Sequence, residues 1–178
     1  MKLLLNDSSV LLNLLAADCL AELTADLHWQ LAICSAVRDE ATKLRDAETG
    51  DMAPVDTAPL IASGLLQVLE LAGDAEQALY VEQAIVVDDG EAMSIAIAAS
   101  RSLDLAIDDK QAANHARRTF PQIKLWNTPE ILKHWVKTAS VPAERLREVI
   151  CLIEARARYF PPKSHPLAAW WYEAKSSA

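Results

Sequence analysis

The sequence predicts an α/β fold in which a central parallel sheet lies between two layers of helices. Short apolar runs that suit buried strands alternate with segments whose apolar residues repeat at helical spacing. From Thr128 onward the pattern changes to helices alone. Because alternating strands and helices favour parallel crossover units, we expect a sheet covered on both faces, with extra helices at its C-terminal side.

Five apolar runs are predicted to be the strands of this sheet. Each is short, continuous and bounded by polar or turn-forming residues, as is typical of strands buried on both faces. In chain order they are residues 3–5, 31–33, 65–69, 103–107 and 123–126.

The segments between the first three strands are predicted to be helices and one loop. Residues 46–59 contain Gly50, Pro54 and Pro59 and few large apolar side chains, so we expect a loop there. Serine residues stand where N-caps are needed before two of the helices. The predicted helices are residues 10–15, capped by Ser8 or Ser9, residues 20–27, and residues 36–45, capped by Ser35.

The later helices follow from the same periodicity. The segment 91–100 is apolar nearly all round, which indicates a deeply buried helix. Thr128 is predicted to cap a helix of its own, and a longer helix that starts near Pro142 should end before Pro161. The remaining predicted helices are residues 74–83 and 110–118.

The composition limits the classes of partner. The net charge of -8 and the pI near 5.0 argue against general binding of duplex nucleic acid, which needs many phosphate neutralisations. They leave room for a nuclease, whose metal site is itself acidic. No uncharged apolar run approaches the length of a membrane span, and polar residues 6–9 interrupt the leucines near the N-terminus. We therefore expect no membrane association and a cytoplasmic location.

Acidic residues stand at the ends of the predicted strands or on the helices beside them. Asp7 follows the first strand, Glu40 lies on the helix after the second, Glu91 opens the apolar helix, and Asp108 and Asp109 follow the fourth strand. Ligands of open α/β sheets bind outside the carboxyl ends of the strands. Crowded like charges are costly unless they are protonated or neutralised by a cation. The pattern therefore predicts a hard divalent ion and phosphate chemistry.

Each acid taken alone also fits a structural role. Asp7 would serve as a helix cap, Glu40 as a solvated helix residue, and Glu91 as a charge that complements the helix dipole. Asp108 and Asp109 would suit an ordinary turn. Only their joint occurrence after successive strands favours a shared site.

These residues and their flanking strands resemble a PIN domain, most closely the compact prokaryotic branch that includes VapC-type toxins. The resemblance covers roughly residues 1–135, which we predict to be a metal-dependent nuclease domain with a three-layer α/β/α fold. Residues 136–178 are predicted to be a helical C-terminal extension packed on it. The matching stretches are residues 3–11, 37–40, 90–96, 105–110 and 128–132.

The resemblance implies an endoribonuclease that depends on Mg²⁺ or Mn²⁺ and hydrolyses an RNA phosphodiester in line, without a covalent enzyme intermediate. It also implies the toxin of a toxin–antitoxin system, a homodimer, and an antitoxin protein that blocks the acidic site. Ser9 matches a small polar position that supports the first acid. The implied catalytic residues are Asp7, Glu40, Glu91 and Asp109, and the implied metal ligands are Asp7, Glu91, Asp108 and Asp109.

Basic residues lie close in sequence to the last of these acids. Lys110, Arg117 and Arg118 share the predicted helix that follows Asp109. They are candidates for holding the RNA backbone, since phosphate contacts position a nucleic acid. A solvated helix face is the alternative interpretation.

Two other functions stay open at this point. The first is a non-catalytic PIN-like module that binds metal or a partner without turnover. It is favoured by Met93, which stands where many relatives carry a further acid, by the acidic charge and by the helical tail. The second is a phosphotransferase or phosphatase that forms an aspartyl phosphate on Asp7. The sequence Asp7-Ser8-Ser9 lacks the second aspartate that such phosphatases usually carry.

Overall fold

The structure is a computed structural model that describes residues 2–5, 8–41 and 43–176. Within these residues seven strands form two sheets. The strands are β1 Lys2–Leu5, β2 Gln30–Cys34, β3 Lys43–Arg45, β4 Met52–Pro54, β5 Leu66–Leu69, β6 Asp104–Ala106 and β7 Leu125–Trp126. The central sheet is parallel throughout, with the spatial order β5-β2-β1-β6-β7, and β3 pairs with β4 in an antiparallel hairpin.

Ten α-helices and one π-helical segment surround the central sheet in the described part of the chain. The π-helical segment, Ile153–Ala157, continues directly from α9. The helices are α1 Ser8–Ala16, α2 Leu20–Leu27, α3 Ser35–Glu40, α4 Ala58–Ala62, α5 Gly73–Gln83, α6 Asp89–Arg101, α7 Lys110–Thr119, α8 Thr128–Ala139, α9 Ala143–Leu152 and α10 Ala168–Ser176.

The helices pack in two groups around the sheet. Helix α6 lies on β1, β2 and β6, and α3 and α5 pack against α6. Helix α1 lies on β1 and packs against α8 and the π-helical segment. This arrangement confirms the predicted three-layer α/β/α fold with a central parallel sheet. None of the described helices has both the length and the apolar character needed to cross a membrane.

The strand order places a topological switch point beside β1. Leu5, the last residue of β1, lies next to Ile33 of β2 on one side and Ala106 of β6 on the other. The chain runs from β1 outward through β2 to β5, and then crosses to β6 and β7 on the opposite side. Ligands of such sheets bind in the crevice at the carboxyl ends of the strands where the order reverses. The residues after β1 and β6 therefore border the expected crevice.

The prediction of a helix up to Arg45 and a loop over residues 46–59 was wrong. Helix α3 ends at Glu40, and residues 43–45 form strand β3, which pairs with β4 inside the predicted loop. The Asp46 side chain accepts hydrogen bonds from the backbone N–H groups of Glu48 and Thr49, and Gly50 adopts a φ of +75°. This turn chemistry reverses the chain and favours a hairpin over a continued helix.

Two predicted caps were displaced by one residue. Cys34 precedes α3, and the Ser35 hydroxyl donates to Glu70 instead. Asn127, rather than Thr128, caps α8 in a reciprocal capping box with Glu130. The long C-terminal helix also ends earlier than Phe160, because Arg158 adopts a left-handed conformation with a φ of +59°.

A buried ion pair joins α5 to the end of α6. The Glu76 side chain is 4% exposed, and both its carboxylate oxygens accept hydrogen bonds from the guanidinium of Arg101, at 2.6 and 2.7 Å. Glu76 also accepts a hydrogen bond from the backbone N–H of Ala72. The hydrogen bond from Arg101 is the main reason that the pKa of Glu76 falls from 4.5 to about 2. The pair holds α5 against α6, whose first turn reaches the crevice.

We expect this pair to make the fold acid-sensitive. Because the pKa of Glu76 is lower in the folded state than in the unfolded chain, its contribution is present above about pH 5 and is lost as the pH falls toward 2. Glu76→Gln should therefore lower the unfolding free energy at pH 7 by about 2 kcal/mol and should weaken its decline below pH 5. Urea unfolding of both proteins at several pH values measures this. Parallel pH profiles of the two proteins would contradict it.

Candidate functional site

A cleft of about 570 Å³ opens at the carboxyl edge of the sheet beside β1 and β6. It brings together residues from four separate parts of the chain, and Glu40, Glu91, Asp108, Asp109 and Ser9 all line it. The predicted first acid, Asp7, lies outside the described residues, between the end of β1 and the start of α1. The remaining acids predicted from the sequence therefore share one surface, together with Asp88.

Glu40 reaches the cleft by packing against a glycine. A Cβ atom added at Gly90 would lie 3.0 Å from Oε1 and 3.1 Å from Oε2 of Glu40. The two residues can be this close only because Gly90 has no side chain. The contact holds the carboxylate against the first turn of α6, where the helix dipole favours negative charge. A glycine is thus required at position 90, because a side chain there would collide with the Glu40 carboxylate.

Gly90→Ala should separate activity from stability. The new methyl group would displace the Glu40 carboxylate, which is the flexible end of a side chain, so the fold should lose little stability. Alanine also has a higher helix propensity than glycine. We expect any activity that depends on Glu40 to fall at least about tenfold, while the unfolding free energy stays within about 1 kcal/mol of wild type. Parallel assays of RNA cleavage and urea unfolding measure this, and unchanged activity would rule out a role for this contact.

Helix α6 carries Glu91 in its first turn, where the side chain is half-buried. The turn is anchored to the end of β2 by Cys34, whose thiol donates to the Gly90 carbonyl at 3.6 Å and accepts from the Ser94 hydroxyl at 3.3 Å. Burial raises the pKa of the Cys34 thiol, so this cysteine serves packing rather than reactivity. The sequence prediction that α6 is deeply buried is confirmed.

Asp108 lies at the centre of a hydrogen-bond network. Its Oδ1 accepts from the Thr128 backbone N–H at 2.9 Å and from the Tyr159 hydroxyl at 3.3 Å. Its Oδ2 accepts from the Thr128 hydroxyl at 2.6 Å and from the Asn13 amide at 3.0 Å. A carboxylate offers about four lone-pair sites, and these four donors are directed at them. Asp108 therefore ties α1, α8 and residue 159 to the end of β6.

Asp109 has a different environment. It is the N-cap of α7, and its Oδ1 accepts a hydrogen bond from the Ala112 backbone N–H at 2.8 Å. The side chain is exposed to the cleft, and this is the one hydrogen bond that the structure gives it among the described residues. Asp109 is therefore more available to a ligand than Asp108.

The predicted basic residues lie immediately beside the acidic cleft. Lys110, Arg117 and Arg118 line a second cavity of about 680 Å³ on the exposed face of α7, and Asp109 borders both cavities. The acidic cleft itself has no lysine, arginine or histidine among its described lining residues. The site thus places an all-acidic centre next to a cationic surface.

The lining of the cleft suits a hard divalent ion. Carboxylate and hydroxyl oxygens are the ligands that Mg²⁺ and Mn²⁺ prefer, and Mg²⁺ retains several waters, so a few direct protein ligands are enough. Among the described residues, no three His, Cys, Asp or Glu side chains form a ready-made ligand group. The donor chemistry of the described lining residues fits such an ion.

Three residues of the site were missed by sequence reasoning. Asn13 is 1% exposed within the leucine-rich helix α1, Thr128 is fully buried, and Tyr159 lies on the C-terminal segment. A single asparagine among leucines was a usable signal, because buried polar groups need hydrogen-bond partners. Thr128 was predicted as a cap and as the start of the resembling stretch 128–132, without a role beside the acids, and no local pattern indicated Tyr159.

Comparison with known proteins agrees with the fold. A family model described as a PIN domain, DUF3368, matches residues 3–166. None of the curated proteins and none of the solved structures matches the chain significantly. The family match runs beyond residue 135, and α8 continues through residues 135 and 136, so the division into 1–135 and 136–178 stays a prediction. PIN domains are typically nucleases that use divalent metal ions. Since the match spans most of the sequence, the chain belongs to the PIN-domain family.

Proposed function

We propose that this chain is an endoribonuclease that depends on Mg²⁺ or Mn²⁺ and hydrolyses RNA phosphodiester bonds. The observation that carries the proposal is the convergence of Glu40, Glu91 and Asp109 in one cleft at the switch point of the sheet. The cationic face of α7 beside it supplies groups suited to a phosphate backbone. An RNA strand lying along that face would bring one phosphate to the acids.

The chain's own residues have distinct proposed roles. Glu91 and Asp109, with Asp7, would hold the ion, which supplies charge neutralisation at the phosphate and lowers the pKa of an attacking water. Glu40, held against Gly90, would accept a hydrogen bond from that water and orient it for in-line attack. Asp108 would position the end of β6 through its four donors, with Ser9 supporting the first acid.

The direct test compares wild type with Asp7→Asn on single-stranded RNA in the presence of Mn²⁺. We expect the wild type to cleave internal phosphodiester bonds and the variant to be slower by at least about a hundredfold, since a lost metal ligand removes several kcal/mol of transition-state stabilisation. Equal cleavage by the two proteins would reject the proposed site. The absence of cleavage by wild type on any RNA would reject the activity.

The non-catalytic module is the second candidate, and Met93 is the observation that favours it. Its half-buried side chain packs against the core and accepts a weak contact from the Ser35 hydroxyl at 3.9 Å. A sulfur there contributes no oxygen ligand to the cleft. Titration calorimetry with Mn²⁺ alongside the cleavage assay distinguishes the two functions. Metal binding without cleavage would favour the module.

We further propose that the chain acts in the cytoplasm as the toxin of a toxin–antitoxin pair and forms a homodimer. The resemblance to VapC-type toxins supports this finer assignment. Sedimentation of the purified chain tests the dimer. If a small protein is encoded beside the chain, expression with and without it tests the antitoxin, which should restore growth and inhibit cleavage. Growth that is unaffected by the chain alone would speak against a toxin.

A further inference from the structure

A third cavity adjoins the acidic cleft on the side of the C-terminal segment. It measures about 370 Å³ and lies between α7 and residues 159–166. Asp108 and Asp109 line both this cavity and the acidic cleft, so the two spaces are neighbours at the end of β6. The volume lies near the lower end of the roughly 300–1,000 Å³ that is usual for small-ligand sites.

The cavity combines polar groups with rigid apolar walls. The amide of Asn114 and the hydroxyl of Ser164 line it, beside the rings of Pro162 and Pro166. His165 also lines it, and its Nδ1 accepts a hydrogen bond from the Leu167 backbone N–H at 3.1 Å. The neutral imidazole therefore carries its proton on Nε2, which makes that atom a donor. Amide, hydroxyl and imidazole groups between flat apolar walls suit a planar heterocycle with a polar edge.

Cationic groups stand at the side of this cavity. Lys110 and Arg117 line both it and the second cavity on α7, and Arg117 donates to the Asn114 side chain at 3.1 Å. If a base entered the cavity, the phosphate of the same nucleotide would lie beside Lys110 and Arg117. The phosphate of the next nucleotide would then lie beside the acids of the cleft. Sequence-specific recognition of RNA commonly takes such an unstacked base into a protein site.

We propose that this cavity receives the base of one RNA nucleotide adjacent to the scissile phosphate, and so gives the enzyme a base preference at one position. The inference rests on the proposed nuclease function and adds the subsite that reads the substrate. Its walls come from α7 and from the segment 159–166, so the C-terminal part of the chain takes part in substrate selection.

The test uses the full-length chain and a single-stranded RNA oligonucleotide in which one base at a time is replaced by an abasic site. Dissociation constants are measured by fluorescence anisotropy in EDTA, where no cleavage occurs. We expect the loss of the base at one position to weaken wild-type binding about tenfold, as is usual for a single base contact, and the other positions to matter less.

Two variants alter the cavity at exposed positions. Ser164→Trp places a large ring in it, and Asn114→Leu removes its amide from the exposed face of α7. Both should abolish the difference between the intact and the abasic oligonucleotide. Ser63→Trp, at an exposed serine remote from the three cavities, is the matched control and should keep the difference.

The possible outcomes separate this inference from the nuclease proposal. If no position is base-dependent in wild type, or if both cavity variants keep the discrimination, the subsite is wrong while cleavage by the acidic cleft still stands. If wild type discriminates at one position and Ser164→Trp abolishes this, but no RNA is cleaved with Mn²⁺, the subsite stands and the nuclease proposal fails. If wild type binds none of the oligonucleotides, the proposed subsite is also wrong.

Discussion

Replacing Glu91 with glutamine is expected to slow RNA cleavage at least about a hundredfold if, as we propose, this acid holds the ion, since a lost metal ligand removes several kcal/mol of transition-state stabilisation. Glutamine keeps the size of the side chain but loses the charge. Glu91 lies in the first turn of α6 and lines the acidic cleft with Glu40 and Asp109. The measurement is the single-turnover rate on single-stranded RNA at saturating Mn²⁺, with Mn²⁺ affinity from calorimetry beside it.

Asp89→Asn is the matched control for this variant. Asp89 occupies the same first turn, so both changes remove one charge from the same end of the helix dipole. Its carboxylate accepts a hydrogen bond from the Tyr80 hydroxyl at 3.2 Å, and it does not line the acidic cleft. The control should cleave within about twofold of wild type, because a dipole effect at the surface is worth less than about 1 kcal/mol. Equal losses in both variants would mean that the charge of the helix terminus, and not a ligand role, explains the result.

Asp108→Ala should destabilise the fold by about 3 kcal/mol, because it leaves the buried hydroxyl of Thr128 without its acceptor and removes one of the two acceptors of the Asn13 amide. Asp109→Ala removes only an exposed N-cap and should cost about 1 kcal/mol. The order should be reversed for RNA cleavage. At a temperature where both variants are folded, Asp109→Ala should lose more cleavage activity than Asp108→Ala. Urea unfolding followed by tryptophan fluorescence gives the two free energies.

The Thr128→Val variant checks whether the stability loss of Asp108→Ala comes from its hydrogen bond with the Thr128 hydroxyl. Valine is close to threonine in shape but lacks the hydroxyl, so it should lower the unfolding free energy by about 1–2 kcal/mol, less than Asp108→Ala. Equal stabilities for Asp108→Ala and Asp109→Ala would show that the network around Asp108 does not hold the end of β6. A larger loss of activity in Asp108→Ala would reverse the proposed division of roles between these neighbours.

Much of the central fold was predictable because its signals are local. Apolar residues 31–33 lie in β2 and residues 105–107 at the end of β6, all of them buried, and Val10, Leu11 and Leu14 lie on the buried face of α1. The hairpin of β3 and β4 escaped prediction because apolar residues 37, 41 and 44 also fit a helical period. The outcome depended on the Asp46 turn and on Gly50.

The sequence could predict that the acids of the candidate site lie together, but it could not predict the contacts that each of them makes. Each acid follows or flanks a recognisable element, and parallel strands carry their carboxyl ends to one edge. The contact of Glu40 with Gly90 joins α3 to α6 and has no counterpart in any local pattern. The role of Asp108 likewise depends on Asn13, which lies 95 residues away along the chain.

The sequence by itself determined the α/β class, the order of most strands and helices, and the acids that line the crevice, because periodicity and chain order are properties of neighbouring residues. The tertiary structure decided which of two adjacent aspartates is held by buried donors and which is exposed to the cleft. It also brought residues 159–166 beside α7 to form a cavity that Asp108 and Asp109 line as well. These features arise from contacts between segments far apart in the chain, and only the packed chain brings such segments together.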